Sequence, residues 1–528
     1  MHLNNFKLTI DFINHNFKIF NNNYFKSKNK ILVEIFDYKP STIPISYLSN
    51  TLSKIHKANM IAYYPAFFNF SQRLKYFNQK INPIGIHKIY QSFGAKKFLV
   101  PEKNIKNDYV QKSEKIFNKI KSKKDILNIK IDKILIGDLI YDEFLRTKKI
   151  VTIEARSKEF KNFLTEAVCL FFYWKNFIEN EKIKAVLISH HVYFMGIVPR
   201  IAIAKNIPVY TVGLTETPKY LSYIHPIKHC GFENYLNIFK KFRPKIKKKL
   251  VEDAKKNLND RFLGKKDIKL LMDRYTEKNI YDKNISKKKF LSGSKKFKVL
   301  IAAHQFNDAV HAHGNFLFSD FYEWIDFLGK CSEKSNFEWY IKFHPSEYKS
   351  NYKFIDYFKK KYLKFNILPM NITNTQLIYE KIDIVLTVYG SVGHEYPLFG
   401  IPVINASNKG PHKPFNFNIY PKNLKEYKKY VLNLDKVKPV KVNDIRLKLY
   451  IYYSMRYLMN YNMINKNKEI ILKLGKKYTD LIYGVFLKQF SKKKHHKILK
   501  DFENFIKSKK FRMFVYNSKS KSDLIKFN

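Results

Sequence analysis

Short apolar runs alternate with amphipathic stretches along most of the chain, the pattern of parallel strands covered by helices. Residues 31–36 (ILVEIF) predict a strand, 47–58 a helix and 60–64 (MIAYY) the next strand, a βαβ opening with a right-handed crossover. A helix over 84–93, ending at Gly94, and a strand at 97–100 continue the alternation. Phe160, Phe163, Leu164, Ala167, Phe171, Trp174 and Phe177 recur at helical spacing and predict a long helix with a core-facing stripe. Strands follow at 185–189 and 207–213. Residues 1–30 show no clear period and are expected as a hairpin or an extension.

Residues 265–296, rich in Lys, Asp and Ser, predict an interdomain connection. Beyond it the alternation resumes, with strands at 299–303, 339–343 and 384–388 and helices at 318–328 and 351–364. From about 410 the chain turns loop-rich and then helical over 441–475. The expected fold class is α/β: two Rossmann-like domains facing a cleft, residues 1–290 and 295–435, with a helical basic C-terminal extension over 436–528.

Chemistry-bearing residues gather at strand ends. The strand at 384–388 runs into Gly390-Ser391-Val392-Gly393, a turn with room for an anion against its backbone amides, followed by a short helix carrying Glu395 and a left-handed stop at Gly400. With Gly393 as N-cap, Pro397 falls at the fourth helical position. The strand at 339–343 ends in His344-Pro345, so two neighbouring strand ends converge on one place. His190 and His191 stand at the end of the strand at 185–189 and suit a general base, a phosphate donor or a hydrogen-bonded structural pair. The loop 304–314 (HQFNDAVHAHG) offers His304 and Asp308 for acid–base work, while His311 and His313 alone are too few ligands for a metal. Asp138 and Asp142 suit catalysis, or else capping and pairing with Arg146. No GxxxxGK[ST], DxD, GxSxG or HExxH motif is present, which disfavours P-loop, metal-chelating, serine-hydrolase and zincin chemistry.

Composition changes this picture in three ways. Lys+Arg 99 against Asp+Glu 44 gives +55, inviting an anionic partner, yet the basic residues are dispersed and no RNP, KH or zinc signature supports nucleic acid. Three cysteines without CxxC spacing argue against a disulfide framework and for a reducing, cytoplasmic setting. No apolar run is long enough for a membrane span. However, Ile498, Leu499, Phe502, Phe505 and Ile506 form a stripe among lysines over 492–512, which predicts peripheral contact with an anionic membrane or a helix packed on the body.

The HP step at His344-Pro345 and the run SVGHEYPLFGIPV from Ser391 to Val403 resemble bacterial capsule and surface-polysaccharide biosynthesis proteins of the two-Rossmann (GT-B) type, including Kdo and sialic acid transferases and, more distantly, teichoic acid polymerases. HQFNDAVHAHG at 304–314 and GDLIYDEFLR at 137–146 extend the resemblance loosely. It implies a glycosyltransferase that moves a sugar from a nucleotide-activated donor, a CMP-sugar first, to a surface or capsular polysaccharide or glycolipid without metal or further cofactor. By that likeness His344 binds the donor phosphate with Pro345, Gly390, Ser391, Val392 and Gly393 around it, and Glu395 meets the ribose. For the base the candidates are Asp308, His304, His190 and His191, since no carboxylate motif stands out in the N-terminal half. A nucleotide-sugar epimerase of related fold, or a CDP-polyol phosphotransferase, is the alternative.

Overall fold

The computed structural model describes residues 2–20, 25–213, 219–221, 235–264, 281–282, 284–312, 316–408, 410, 413–457, 463, 481–510 and 512–513. β1 (Lys30–Glu34), β2 (Asn59–Tyr63), β3 (Ala95–Leu99), the two-residue hairpin β4 (Lys130–Ile131) and β5 (Ile134–Leu135), β6 (Ile183–Ile188), β7 (Val209–Thr211) and β8 (Lys219–Leu221) belong to the first half. β9 (Lys298–Ala302), β10 (Glu338–Lys342), β11 (Phe365–Ile367), β12 (Ile384–Thr387) and β13 (Val403–Asn405) belong to the second. The first sheet runs β3-β2-β1-β6-β7-β8, parallel except at β8, and the second runs β11-β10-β9-β12-β13, parallel throughout.

The strands are apolar because both faces are covered. Ile31, Leu32 and Val33 of β1 and Ile384, Val385 and Leu386 of β12 are all buried. One apolar cluster includes Leu32, Ile61 and Val186 of the first sheet and Ile301, Ile341 and Leu386 of the second. The predicted aromatic stripe lies on the helix Lys158–Asn180, with Phe160, Leu164, Ala167, Phe171 and Trp174 inaccessible to solvent. The architecture is α/β, two Rossmann-like sheets with helices on both faces and a helical C-terminal extension.

Three expectations change. Residues 2–20 form a helix rather than a hairpin or extension, because Phe12, Ile13 and Phe20 find their core partners near the other end of the chain, where Phe12 stacks on Tyr483 at 4.1 Å. The helix expected from 47 begins at Lys39 with Pro40 in its first turn. Its small polar residues are buried and hydrogen-bond to nearby backbone carbonyls, as Ser46 does to Ile43 and Thr51 to Tyr47. The stripe on helix Lys492–Ser508 is not available to a membrane: Ile498, Phe502, Phe505 and Ile506 are buried against helix Lys39–His56 and its neighbours, and most of its lysines face water together with His496 and Asn504. A bridge between Lys219 and Arg512 carries the C-terminal segment on to the open edge of β8. Helix Val442–Tyr457 instead packs against helix Pro244–Phe262; the remainder of the helix expected to 475 lies outside the described residues, apart from Met463.

Candidate functional site

In open parallel sheets ligands bind beyond the carboxyl ends of the strands, where the strand order reverses direction. The reversal falls between β1 and β6 in the first sheet and between β9 and β12 in the second. Glu34, Ser189 and His190 stand at the first of these points, His304 and the turn 387–391 at the second. β10 and β12, expected as neighbours, are separated by β9, so His304 stands between His344 and Ser391 and the strands bearing these two are about 10 Å apart.

His344 is half-buried and its Nδ1 accepts the Ser346 amide at 3.1 Å. That bond puts the proton of the neutral ring on Nε2, which meets no other described group and is thus a directed donor. Burial lowers the His344 pKa, with Asp308 opposing and Lys342 adding to the effect. The ammonium of Lys342, two residues earlier on the same side of β10, has no hydrogen bond or ion pair among the described residues, while its carbonyl accepts the Ala303 amide at 3.0 Å. Burial brings its ammonium down to about 8, against the pull of Glu395. Sequence reasoning passed over Lys342, because a lysine at a strand end looks like a solvated edge until the neighbouring elements bury it.

Glu395 is wholly buried, and its carboxylate is already engaged. Arg261 of helix Pro244–Phe262 reaches Oε1 from Nε at 2.7 Å and from its terminal nitrogen at 2.6 Å, and the Tyr281 hydroxyl donates to Oε2 at 2.9 Å. The ribose contact expected of Glu395 is replaced by this internal clamp, which ties the C-terminal turn of one helix to the phosphate-sized turn. His394, beside it, lies between Tyr452 and Tyr453.

The turn itself is tighter than expected. Ser391, not Gly393, is the N-cap, the α-helix covers only Val392–Glu395, and Pro397 sits in a following 3₁₀ turn that Gly400 ends at φ 80°. Gly393 and His394 donate their amides to Gly390 and Ser391 carbonyls, leaving those of Ser391 and Val392 without acceptors among the described residues. A Cβ on Gly390 would stand 2.9 Å from Thr387 Oγ1 and 3.5 Å from His304 Cε1. His304 lies flat on Phe321 with Nε2 3.3 Å from Thr387 Oγ1 and 3.4 Å from the Tyr389 amide, so it props the turn from below.

On the facing half, Glu34 accepts both the amide and the hydroxyl of Ser189 at 2.8 Å, and burial holds its pKa up at about 7 in spite of those bonds. It fixes the loop that carries exposed His190, whose Nδ1 is 3.2 Å from Ser189 Oγ, and half-buried His191. Tyr193 continues that loop to the other half: its hydroxyl accepts the Ala309 amide at 2.9 Å and lies 3.3 Å from the Asn307 carbonyl and 3.4 Å from Asp308 Oδ1. Asp308, exposed, therefore stands where the 189–193 loop meets the loop after β9, within electrostatic reach of His344.

The two loosely matching segments, 137–146 and 304–314, pack against each other. Asp142 accepts His311 Nδ1 at 2.6 Å and its amide at 3.1 Å, while His311 Nε2 faces the Ser319 carbonyl at 3.0 Å. Both ring nitrogens face oxygens, which suits an imidazolium paired with the Asp142 carboxylate; burial opposes both charges and raises the Asp142 pKa, while Asp142 raises the His311 pKa. Asn307 donates to the Leu145 carbonyl at 3.0 Å, and buried Asp320 accepts Tyr141 and Thr152 at 2.6 Å each. Asp138 is held bidentately by Arg200 at 2.6 Å, and Arg146 pairs with Glu143 instead of either aspartate. Asp142, His311, Asn307 and Asp320 thus join the halves, while Asp138 and Glu143 are engaged within the first. His313 lies outside the described residues, among which no cluster of three or more His, Cys, Asp or Glu is placed to hold a metal.

No protein family and no curated protein sequence matches the chain. Among solved structures it is similar to a UDP-GlcNAc 2-epimerase from Neisseria meningitidis bound to UDP-GlcNAc, at 11% identity, TM-score 0.21, over 87% of this chain and 100% of that one. The UDP-GlcNAc 2-epimerase of Methanocaldococcus jannaschii in complex with UDP-GlcNAc and UDP gives 12% identity, TM-score 0.24, over 80% and 98%. A UDP-glucosyltransferase from Polygonum tinctorium gives 10% identity, TM-score 0.27, over 86% and 98%. With likeness at this level, function is read from the residues of the crevice.

Proposed function

We propose that the crevice takes the phosphate of a nucleotide-activated sugar, a CMP-sugar first, and that the protein transfers the sugar to a surface or capsular polysaccharide or a glycolipid. The observation that carries this reading is the set of unspent donors along one sheet edge: His344 Nε2, the Lys342 ammonium and the amides of Ser391 and Val392. Negative charge grows on the leaving phosphate as the glycosidic bond breaks, and preorganised donors at that place lower the barrier. The acceptor hydroxyl's proton passes to a base from the seam, Asp308 before His190 and His191. His304, pressed between Phe321 and the turn, serves position rather than proton transfer.

Calorimetric titration of CMP-, CDP-, UDP- and GDP-sugars into the wild type and His344→Ala tests this. One donor class binds the wild type and weakens by at least about tenfold in the variant. Absence of binding by all four, or binding indifferent to the variant, refutes the reading. Epimerisation of the bound sugar is the second reading, favoured by Asp308 standing within electrostatic reach of His344; an epimer formed from donor alone, with no acceptor present, would select it.

A further inference from the structure

The helix Phe70–Ile81 (FSQRLKYFNQKI) has no buried residue, and its largest apolar side chains face outward. Phe70 is 77% exposed, Leu74 57%, Phe77 62% and Ile81 61%. Their spacing of four, three and four residues places all four within about 60° of arc on an α-helix. The opposite side holds the helix to the body: Tyr76 packs on His87 and Tyr64, and Gln79 accepts the Ile86 amide at 2.9 Å. Reciprocal hydrogen bonds between Asn69 and Gln72 cap its start, so this is a formed helix presenting a stripe directly away from the fold.

We infer that this stripe docks the protein on an anionic lipid surface. Arg73 and Lys80 lie along one flank of the stripe, both exposed, and Lys75 lies beyond the other, paired with Asp37. An apolar face bordered by cations, on a helix about 18 Å long, suits a helix lying in the plane of the headgroups. The helix follows the carboxyl end of β2; the segment after the neighbouring edge strand β3 adds Ile105, 51% exposed, between Lys103 and Lys106. Both segments leave the crevice edge of the first sheet, which sets the lipid surface at the rim of the site. Four side chains on one short helix offer on the order of 500 Å² of apolar surface, too much to leave in water and less than the roughly 800 Å² per partner of a stable protein interface. The inference does not depend on sugar transfer, since it rests on the outer face of a helix away from the phosphate donors.

The full chain is sedimented with phosphatidylcholine vesicles and with vesicles containing about one-third phosphatidylglycerol. The wild type binds the anionic vesicles at least about tenfold more strongly than the neutral ones, and the variant Phe70→Ser, Leu74→Ser, Phe77→Ser, Ile81→Ser loses at least about tenfold of that binding. The same variant keeps its circular dichroism and its nucleotide-sugar binding, and Arg73→Glu with Lys80→Glu weakens vesicle binding without touching an apolar group. Lys492→Gln, Lys493→Gln, Lys494→Gln retains it, since that helix is seated on the body. The inference fails if the wild type ignores anionic vesicles, if the serine variant binds as the wild type does, or if the stripe proves to hold a dimer that the serine variant dissolves.

Discussion

Lys342 shows what a single residue gains from its neighbours. Its ammonium titrates near 8 because burial disfavours the charge. It is therefore cationic below that pH and neutral above it, so affinity for a nucleotide phosphate falls as pH rises from about 7 to about 9. Lys342→Met weakens binding by about tenfold at neutral pH and flattens the profile, as titrations at several pH values will show. At this scale the sequence was legible where a residue's place is set by the strand it follows: His344 and Ser391 stand beyond strand ends on the same edge. It was silent where role depends on elements far along the chain, as with Arg261 and Tyr281 occupying Glu395.

Among the elements, the turn 387–391 and the helix Lys492–Ser508 make opposite demands. Gly390→Val forces a side chain against Thr387 and His304, and is expected to reduce donor binding by about tenfold or more while leaving the melting temperature nearly unchanged, since the turn is at the surface. Phe502→Ala empties a site sealed from solvent and is expected to cost about 3–5 kcal/mol in denaturant unfolding, with binding per folded molecule preserved. The period of that C-terminal helix was readable from 498–506, but its partner was not: an apolar stripe looks alike whether it covers a core or seeks a membrane. The helix Phe70–Ile81, whose apolar content is close to that of the chain as a whole, drew no notice in the sequence, and only its outward orientation reveals the stripe.

For the molecule as a whole, the seam between the halves sets both shape and pH response. His311→Ala leaves the Asp142 carboxylate buried without its cation, at a cost of about 3–5 kcal/mol measurable by thermal or denaturant unfolding. The His311 pKa is raised in the folded state, so its contribution is complete below the ordinary value of 6.5 and is lost as pH rises through the folded value. The wild type's melting temperature should therefore fall from about pH 6 to about pH 9 by more than that of His311→Gln. The α/β alternation and the two-sheet plan were legible because strand and helix periods are local. The seam was not, because Asp142 and His311 look like catalytic candidates in the sequence and prove to satisfy each other across the halves.

The return of helix Lys492–Ser508 to the face of helix Lys39–His56 has a consequence for birth on the ribosome. β1 and helix Lys39–His56 are translated long before this helix, and the greasy side that Tyr47 and its neighbours present stays bare until His495, 448 residues further on, has emerged. A nascent chain held in that state is a client for chaperones, and a message cut short before this helix would yield a sticky, degradation-prone product rather than a working half.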